Sequence, residues 1–350
     1  MLDFTSALYL GLRHPSTSLA PWPAMSAGRP AALAETTGAV PVAAAFAQIM
    51  GCETGTLLPS TLHLFWDLFA SLPRQSVFYV DADAYPVARW GVERAVARGA
   101  QRRTFAHLDA ASLRQRLARA SRAGELPVVV TDGFCPVCAR PAPIADLLAA
   151  VREYGGLLVI DDTQALGVLG EHGGGSLRHS RVSANDVLVA ASLAKGFGVP
   201  AAMLAGSAAH VDRFRRRSLT RVHCSPVTVA VVRAAEHALR VNESHGDVLR
   251  ARLMRRVREF RAALAPTCAS VRGIAFPVQT LDCALSRGEG ARVLHRELLE
   301  RGVRAVLHGA ADPRLSFIIT ARHSDADIHQ AAREVSRCLN HVQGMKRGVR

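Results

Sequence analysis

The sequence predicts an α/β protein. A large, mostly parallel central sheet is flanked by helices and followed by a smaller α+β region at the C-terminal end. Three observations predict it. The first is a set of short runs that are apolar throughout: "SVFYVD" (76–81), "LPVVVTD" (126–132), "GLLVIDD" (156–162), "DVLVAAS" (186–192) and "AAMLAG" (201–206). Runs without polar alternation suit strands covered on both faces, as in a parallel sheet. The second is the helical spacing of the segments between them, such as "DAASLRQRLARA" and "IADLLAAVREYG". Strands alternating with helices build a layered α/β domain. The third is a change of pattern after residue 226. A long helical stretch, "TVAVVRAAEHALRVNESHGDVLRARLMRRVREFRAAL", is followed by short strands near 274–285 and 314–320 and helices near 290–301 and 324–341.

These elements divide the chain into three parts. Residues 1–35, rich in Pro, Ser and Ala, form an N-terminal segment. Residues 36–225 form the large α/β domain, and residues 226–350 supply a linking helix and the small α+β domain. No internal repeat is present.

Composition narrows the function. The 350 residues give ample room for two domains. Hydrophobic residues make up 49% and charged residues 21%, the balance of a globular chain. Lys plus Arg number 43 against 29 acidic residues, a formal charge of +14, which favours anionic partners. The arginine runs "RFRRRS" and "RLMRRVREFR" fit solvated helix faces. No aromatic-interleaved basic patch or nucleic-acid motif accompanies them, so a nucleic-acid partner is not expected. No apolar run reaches the length of a membrane span, and the start "MLDFTSALYLGLRHP" lacks the features of a signal peptide. With seven scattered cysteines, the expectation is reduced thiols and a cytoplasmic location. One pair, Cys135 and Cys138 in "GFCPVCARP", has the spacing of a zinc or redox site. No second pair or spaced histidines complete a metal set, so no metal is expected.

Chemistry concentrates at the predicted strand ends. In open α/β sheets, ligands bind at the carboxyl ends of the strands. Asp132, Asp161 and Lys195 fall there or just beyond. Lys195 sits in "ASLAKGFG", among small, apolar and glycine residues. A lysine normally seeks water, so its placement here reads either as a surface turn or as an amine positioned for chemistry. A lysine beside a carboxylate suits a pyridoxal phosphate enzyme. The amine forms a Schiff base with the cofactor aldehyde, and Asp161 pairs with the pyridinium nitrogen. Ser192, three residues before the lysine, is placed to hydrogen-bond the phosphate. The glycines after Lys195 are read as leaving room for the cofactor. The alternative is a structural ion pair between Asp161 and Lys195.

"VIDDTQALGVLGEHGGG" followed by "SLAKGFG" resembles the α-oxoamine synthases. These are a branch of the fold-type I pyridoxal phosphate enzymes in the class I and II aminotransferase superfamily, and they include the oxoamine synthase of biotin synthesis. "YLGLRHP", "TFAHLD", "VTDGFCPVCARPAPIADLLAAVREYGGLLVIDD" and "RLSFIIT" resemble further family segments in the same order. The resemblance covers most of the chain and implies the fold-type I architecture. It makes Lys195 the Schiff-base lysine, Asp161 the pyridinium partner and Ser192 a phosphate ligand. Tyr85 falls where the family stacks a histidine on the ring, a place a tyrosine can fill. Ser60 and Thr61 fall where the family cradles phosphate at a helix start. His223, Cys224 and Ser225 fall where it reaches across a homodimer to the phosphate. Arg314 holds the substrate carboxylate, or else is a buried structural arginine.

Three positions depart from the family pattern around the cofactor: Gln164 replaces a histidine, Pro136 a serine and Asp132 a glutamate. The family's N-terminal glycine-rich segment, which shapes the acyl-thioester site, is poorly kept in "SAGRPAALAETTGAVP".

The leading expectation is a transferase that condenses an amino acid with an acyl thioester, carried on CoA or a carrier protein, in a biosynthetic pathway. The departures motivate a second reading, an aminotransferase, lyase or cyclase on an amino acid. A third is a non-catalytic partner subunit, against which the joint presence of Lys195, Asp161 and Ser192 argues.

Overall fold

Seven strands form the central sheet of the computed structural model, which describes all residues except 121–123, 266–269, 284–285 and 349–350. They are β1 (Thr54–Leu58), β2 (Ser76–Asp81), β3 (Gln101–Phe105), β4 (Leu126–Asp132), β5 (Leu157–Asp161), β6 (Val187–Ser192) and β7 (Ala202–Gly206). Their spatial order is β1-β7-β6-β5-β4-β2-β3. Strands β3, β2, β4, β5 and β6 run parallel, while β7 is antiparallel to both β6 and β1. All five apolar runs read from the sequence are strands of this sheet.

Two strands, β1 and β3, are not legible as apolar runs. Both lie at sheet edges, where strands carry polar side chains. Strand β3 reads "QRRTF" and buries only Phe105. Strand β1 contains Gly55, which a Cβ would drive to 2.0 Å from the Met203 side chain and 2.7 Å from the Leu204 carbonyl. Close approach to β7 therefore requires the glycine that obscures the strand.

Helices α1 (Ala39–Met50), α2 (Thr61–Ser71), α3 (Pro86–Val96), α4 (Ala110–Ala120), α5 (Ile144–Arg152), α6 (Ser176–Ser180), α7 (Ala208–Arg217) and α8 (Leu219–His223) accompany this sheet. One face of it forms a core with α2, α3 and α7. There Val128, Val130, Leu157, Val159, Leu188, Ala190 and Leu204 pack with Leu64, Phe65, Leu68, Phe69, Ala88, Val92 and Phe214. The sheet residues alternate along each strand, as the two-residue period of a β-strand demands.

The long helix α9 (Val229–Leu264) follows, matching the stretch expected at 228–264. By internal packing, residues 13–134 and 141–244 make one compact unit. Residues 1–12, 135–140 and 245–350 make the other. In the second unit, β8 (Ser270–Val271), β9 (Val278–Asp282), β10 (Val306–His308) and β11 (Arg314–Ile318) form an antiparallel sheet in the order β8-β9-β11-β10. Helices α10 (Gly288–Glu300) and α11 (Asp325–Gly348) complete it. The strand expected near 274–285 starts at Val278, and residues 284–285 of that reading lie outside the described residues. At the N-terminus, Leu2–Asp3 pairs in parallel with Val303–Arg304. That pairing seats Phe4 against Phe260 and Phe317, with ring centroids 6.3 and 5.7 Å away.

Candidate active site at the carboxyl edge of the sheet

Strand register brings the predicted residues together. Asp132, last in β4, lies directly opposite Asp161, last in β5. Asp161 pairs with Ala190 of β6, two residues before Ser192. Residues two apart in a strand share a face. Asp132 follows Val128 and Val130, Asp161 follows Leu157 and Val159, and Ser192 follows Leu188 and Ala190. All three therefore project from the same sheet face, at the same edge. That face is the one covered by α2 and α3.

The N-termini of both helices meet this edge. Ser60, two residues beyond Leu58 of β1, caps α2 by accepting a hydrogen bond from the His63 N–H at 3.3 Å. Thr61 is the first residue of α2. Tyr85 precedes Pro86 at the start of α3. Its backbone N–H donates to Asp132 Oδ1 at 3.1 Å, and its side chain is 51% exposed.

Lys195 lies in the turn after β6 and is half-buried. Asp161 and Asp132 are both within electrostatic reach of it. Burial pulls the Lys195 amine below its usual range, against the two carboxylates. Burial pushes Asp132 up, and the charge of Asp161 adds to the rise. Asp161 is also raised by burial, opposed by Thr163 hydrogen bonds and the Lys195 charge. Two carboxylates thus share one amine under cover. A cationic group placed between them would favour the ionised form of both.

Thr163, unremarked in the sequence, ties the edge together. Its N–H donates to Asp161 Oδ1 at 3.1 Å, and its hydroxyl accepts from the Ser192 N–H at 2.9 Å. The Ser192 hydroxyl accepts from the Ala194 N–H at 3.2 Å. Gln164 occupies the same turn, half-buried.

The glycines around Lys195 require a correction. A Cβ on Gly196 would stand 2.4 Å from the Leu166 carbonyl oxygen and 2.9 Å from Gly167 Cα. Gly167, at φ +86°, faces Gly196 just as closely. These glycines let the Asp161 turn and the Lys195 turn pack backbone to backbone rather than leaving open room. His14 braces the same turn, its Nε2 2.8 Å from the Phe197 carbonyl and its Nδ1 2.9 Å from His237 Nδ1.

Two further carboxylates were missed. Asp81 ends β2 and faces the opposite side of the sheet. It meets His107 Nδ1 at 2.6 Å and accepts from the Leu108 N–H and the Thr131 hydroxyl at 2.9 and 3.2 Å. The signal was available, since "SVFYVD" ends in an aspartate as "LLVID" does. Asp162 is fully buried and accepts from the Ser176 N–H and hydroxyl at 2.9 and 2.5 Å. It fills space that side chains on Gly133 or Gly175 would take, a Gly175 Cβ standing 1.8 Å from its Oδ2. That contact explains much of "GEHGGGS".

The remaining candidates lie elsewhere. His223 ends α8, and Cys224 and Ser225 follow it. Cys224 O accepts from the Ala31 N–H at 3.2 Å. Among the described residues no hydrogen bond links these three to Lys195. Arg314 opens β11 in the other unit. One of its nitrogens bonds Asp312 at 2.8 Å, while its Nη1 is buried without a hydrogen-bond partner. No helix among the described residues is long and apolar enough to cross a membrane.

Comparison with known proteins places these features in context. Residues 62–335 match the family described as aminotransferase class I and II. The 8-amino-7-oxononanoate synthase of Thioalkalivibrio sulfidiphilus is 29% identical over 71% of this chain and 64% of its own length. That of Geobacter sulfurreducens is 32% identical over 67% of this chain and 60% of its own. Each match thus spans less than two thirds of the relative. The solved serine palmitoyltransferase of S. paucimobilis with bound pyridoxal phosphate–myriocin superposes with a TM-score of 0.88 at 16% identity, covering 97% of this chain and 88% of that one. Its likeness shows a shared fold, and with it the expected fold-type I architecture.

Proposed function

Because the chain belongs to the aminotransferase class I and II family, we propose that it is a pyridoxal phosphate-dependent transferase of the α-oxoamine synthase type. In this reading it condenses an amino acid with an acyl thioester, carried on CoA or a carrier protein, in a biosynthetic pathway. One observation carries it: Asp132, Asp161 and Ser192 share a face and an edge, with Lys195 in the turn that follows. The excess carboxylate at that edge fits a cofactor whose ring nitrogen is cationic.

Pyridoxal phosphate supplies an aldehyde that captures the amine of the substrate and a ring that withdraws electrons from its α-carbon. The chain supplies the rest. Lys195 tethers the cofactor, then takes and returns the α-proton. Its depressed basicity suits that work near neutral pH. Asp161 holds the ring nitrogen protonated, while Thr163 fixes the carboxylate. Ser192, Ser60, Thr61 and the N-terminus of α2 take the phosphate, where helix N–H groups favour an anion. Tyr85 covers the ring, and Asp132 and Gln164 border it. Arg314 takes the substrate carboxylate through its unpartnered nitrogen. Cys224 and Ser225 serve the phosphate of a second copy, which makes the working form a homodimer. Residues 36–225 bear the cofactor, residues 226–350 supply the linking helix and the small α+β domain, and the protein works in the cytoplasm.

The test is visible absorbance after addition of pyridoxal phosphate, beside Lys195→Ala. A yellow protein, fixed by borohydride on Lys195 and colourless in the variant, supports the assignment. Free-thiol release from acyl thioesters in the presence of amino acids then identifies the condensation. Gln164, in place of the family's histidine, motivates one rival. Conversion of the cofactor to its amine form without thiol release makes the protein an aminotransferase.

A further inference from the structure

The two cysteines of the "CPVC" segment, which flank Pro136, have no role in the machinery described above. Phe134–Cys135 and Arg140–Pro141 form a two-stranded hairpin whose tip is residues 136–139. The turn folds the two cysteines onto each other. Their sulfur atoms lie within 4.8 Å, and the Cys138 N–H donates to Cys135 Sγ at 3.3 Å. Neither forms a disulfide in the structure. A pair three residues apart in a tight turn needs only side-chain rotation to close a bond of about 2.05 Å.

We propose that Cys135 and Cys138 are a reversible dithiol site, which exchanges with low-molecular-weight disulfides such as oxidised glutathione to form an intramolecular disulfide. The two sulfurs are not equivalent. Cys138 is half-buried and the more accessible of the two, whereas Cys135 is buried. Cys138 attacks first. Its thiolate displaces one thiolate from the external disulfide and leaves a mixed disulfide on Cys138. Cys135 then attacks Cys138 Sγ, closes the internal disulfide and expels the second thiolate. The protein loses two electrons and two protons, and the external disulfide gains them as two thiols.

The environment of Cys135 suits this order. Its thiol is held well above the usual range first by the hydrogen bond with Cys138, then by burial. Capping Cys138 in a mixed disulfide removes the thiolate that this bond stabilises. The Cys138 N–H still points at Cys135 Sγ and favours its thiolate. The second step is thereby released by the first.

The test uses the full chain with oxidised glutathione at neutral pH, quenched with an alkylating agent and digested. The arginine-delimited peptide 123–152 contains these two cysteines and no other. The expected result is loss of two hydrogens from this peptide, restored by dithiothreitol. Cys135→Ser should instead accumulate a glutathione adduct on Cys138, about tenfold above the level in the unmodified chain, because nothing resolves it. Cys138→Ser should give neither product. The proposal is overturned by an unmodified peptide under excess oxidised glutathione, or by an adduct that persists equally with and without Cys135. Because the readout is the mass of this peptide, it is independent of cofactor binding and of the transferase reading.

Discussion

Replacing Gly196 by alanine tests whether backbone packing between two turns sets the position of Lys195. The added Cβ would stand 2.4 Å from the Leu166 carbonyl oxygen. Ordinary close carbon–oxygen contacts begin at about 3.3 Å, so the turns must part by roughly 0.9 Å. Gly196 lacks the positive φ that would strain any side chain, so the cost is steric. Overpacking of this kind costs about 1–3 kcal/mol of stability. The larger effect falls on function, because misplacing a reacting group by about 1 Å can cost on the order of 100-fold. Pyridoxal phosphate titrated by visible absorbance should therefore bind about 10–100-fold more weakly to Gly196→Ala. Gly99→Ala is the reference. Its φ is +98° with nothing within 4 Å of the new Cβ, so it loses about 1 kcal/mol of stability and no affinity. Unchanged affinity in Gly196→Ala, or an equal loss in Gly99→Ala, would refute the argument.

Three other outcomes are expected. Folded Asp132 holds its proton to about pH 8 against an ordinary 3.8, so ionising it costs stability as pH climbs through that window. Asp132→Asn should then raise the thermal midpoint of the cofactor-free protein increasingly from about pH 4 to pH 8, and a gap that shrinks with rising pH contradicts the assignment. Arg314→Gln should raise KM for the amino acid about 10–100-fold with kcat little changed, since a charged hydrogen bond is worth about 1.5–3 kcal/mol. A lowered melting temperature with unchanged KM makes Arg314 structural. Asp67 is buried and accepts from the Ser218 hydroxyl, the Thr220 N–H and Arg94 at 2.7, 2.7 and 3.3 Å. Asp67→Ala should cost about 3–5 kcal/mol in denaturant unfolding, and a loss below about 1 kcal/mol refutes that role.

Much of this architecture was legible because covered strands leave an unmistakable trace. Val128–Val130 and Leu157–Ile160 are apolar at every position, as both sheet faces demand. Asp161 was legible as the first polar residue after such a run, and Asp132 as the acid that ends its run just after Thr131. The same reasoning applied to "SVFYVD" would have found Asp81. Thr163 and His14 were not legible. Their importance rests on hydrogen bonds to the Ser192 N–H and the Phe197 carbonyl, and no side-chain pattern announces a backbone partner. The edge strands were hidden for other reasons: β3 is exposed and polar at most positions, and β1 carries the glycine that its close approach to β7 requires.

The three carboxylates at the site differ in how the chain satisfies them. Asp162 receives two donors from Ser176 in a cavity shaped by glycines, and burial leaves its carboxyl at about 6. Asp161 has Thr163 and the Lys195 charge. Asp132 has one backbone donor, from Tyr85, and is pushed to about 8. A carboxyl with one donor and a charged neighbour is raised by burial and by that charge together. Asp162 reads as structural because it is fully buried, each of its oxygens accepts from Ser176, and it packs against Gly133 and Gly175. Asp161 and Asp132 share the single amine of Lys195, and burial opposes ionising either carboxyl. Under the proposed function, a cationic ring nitrogen would offset that cost, and the sheet edge would be completed by the ligand rather than by the fold alone.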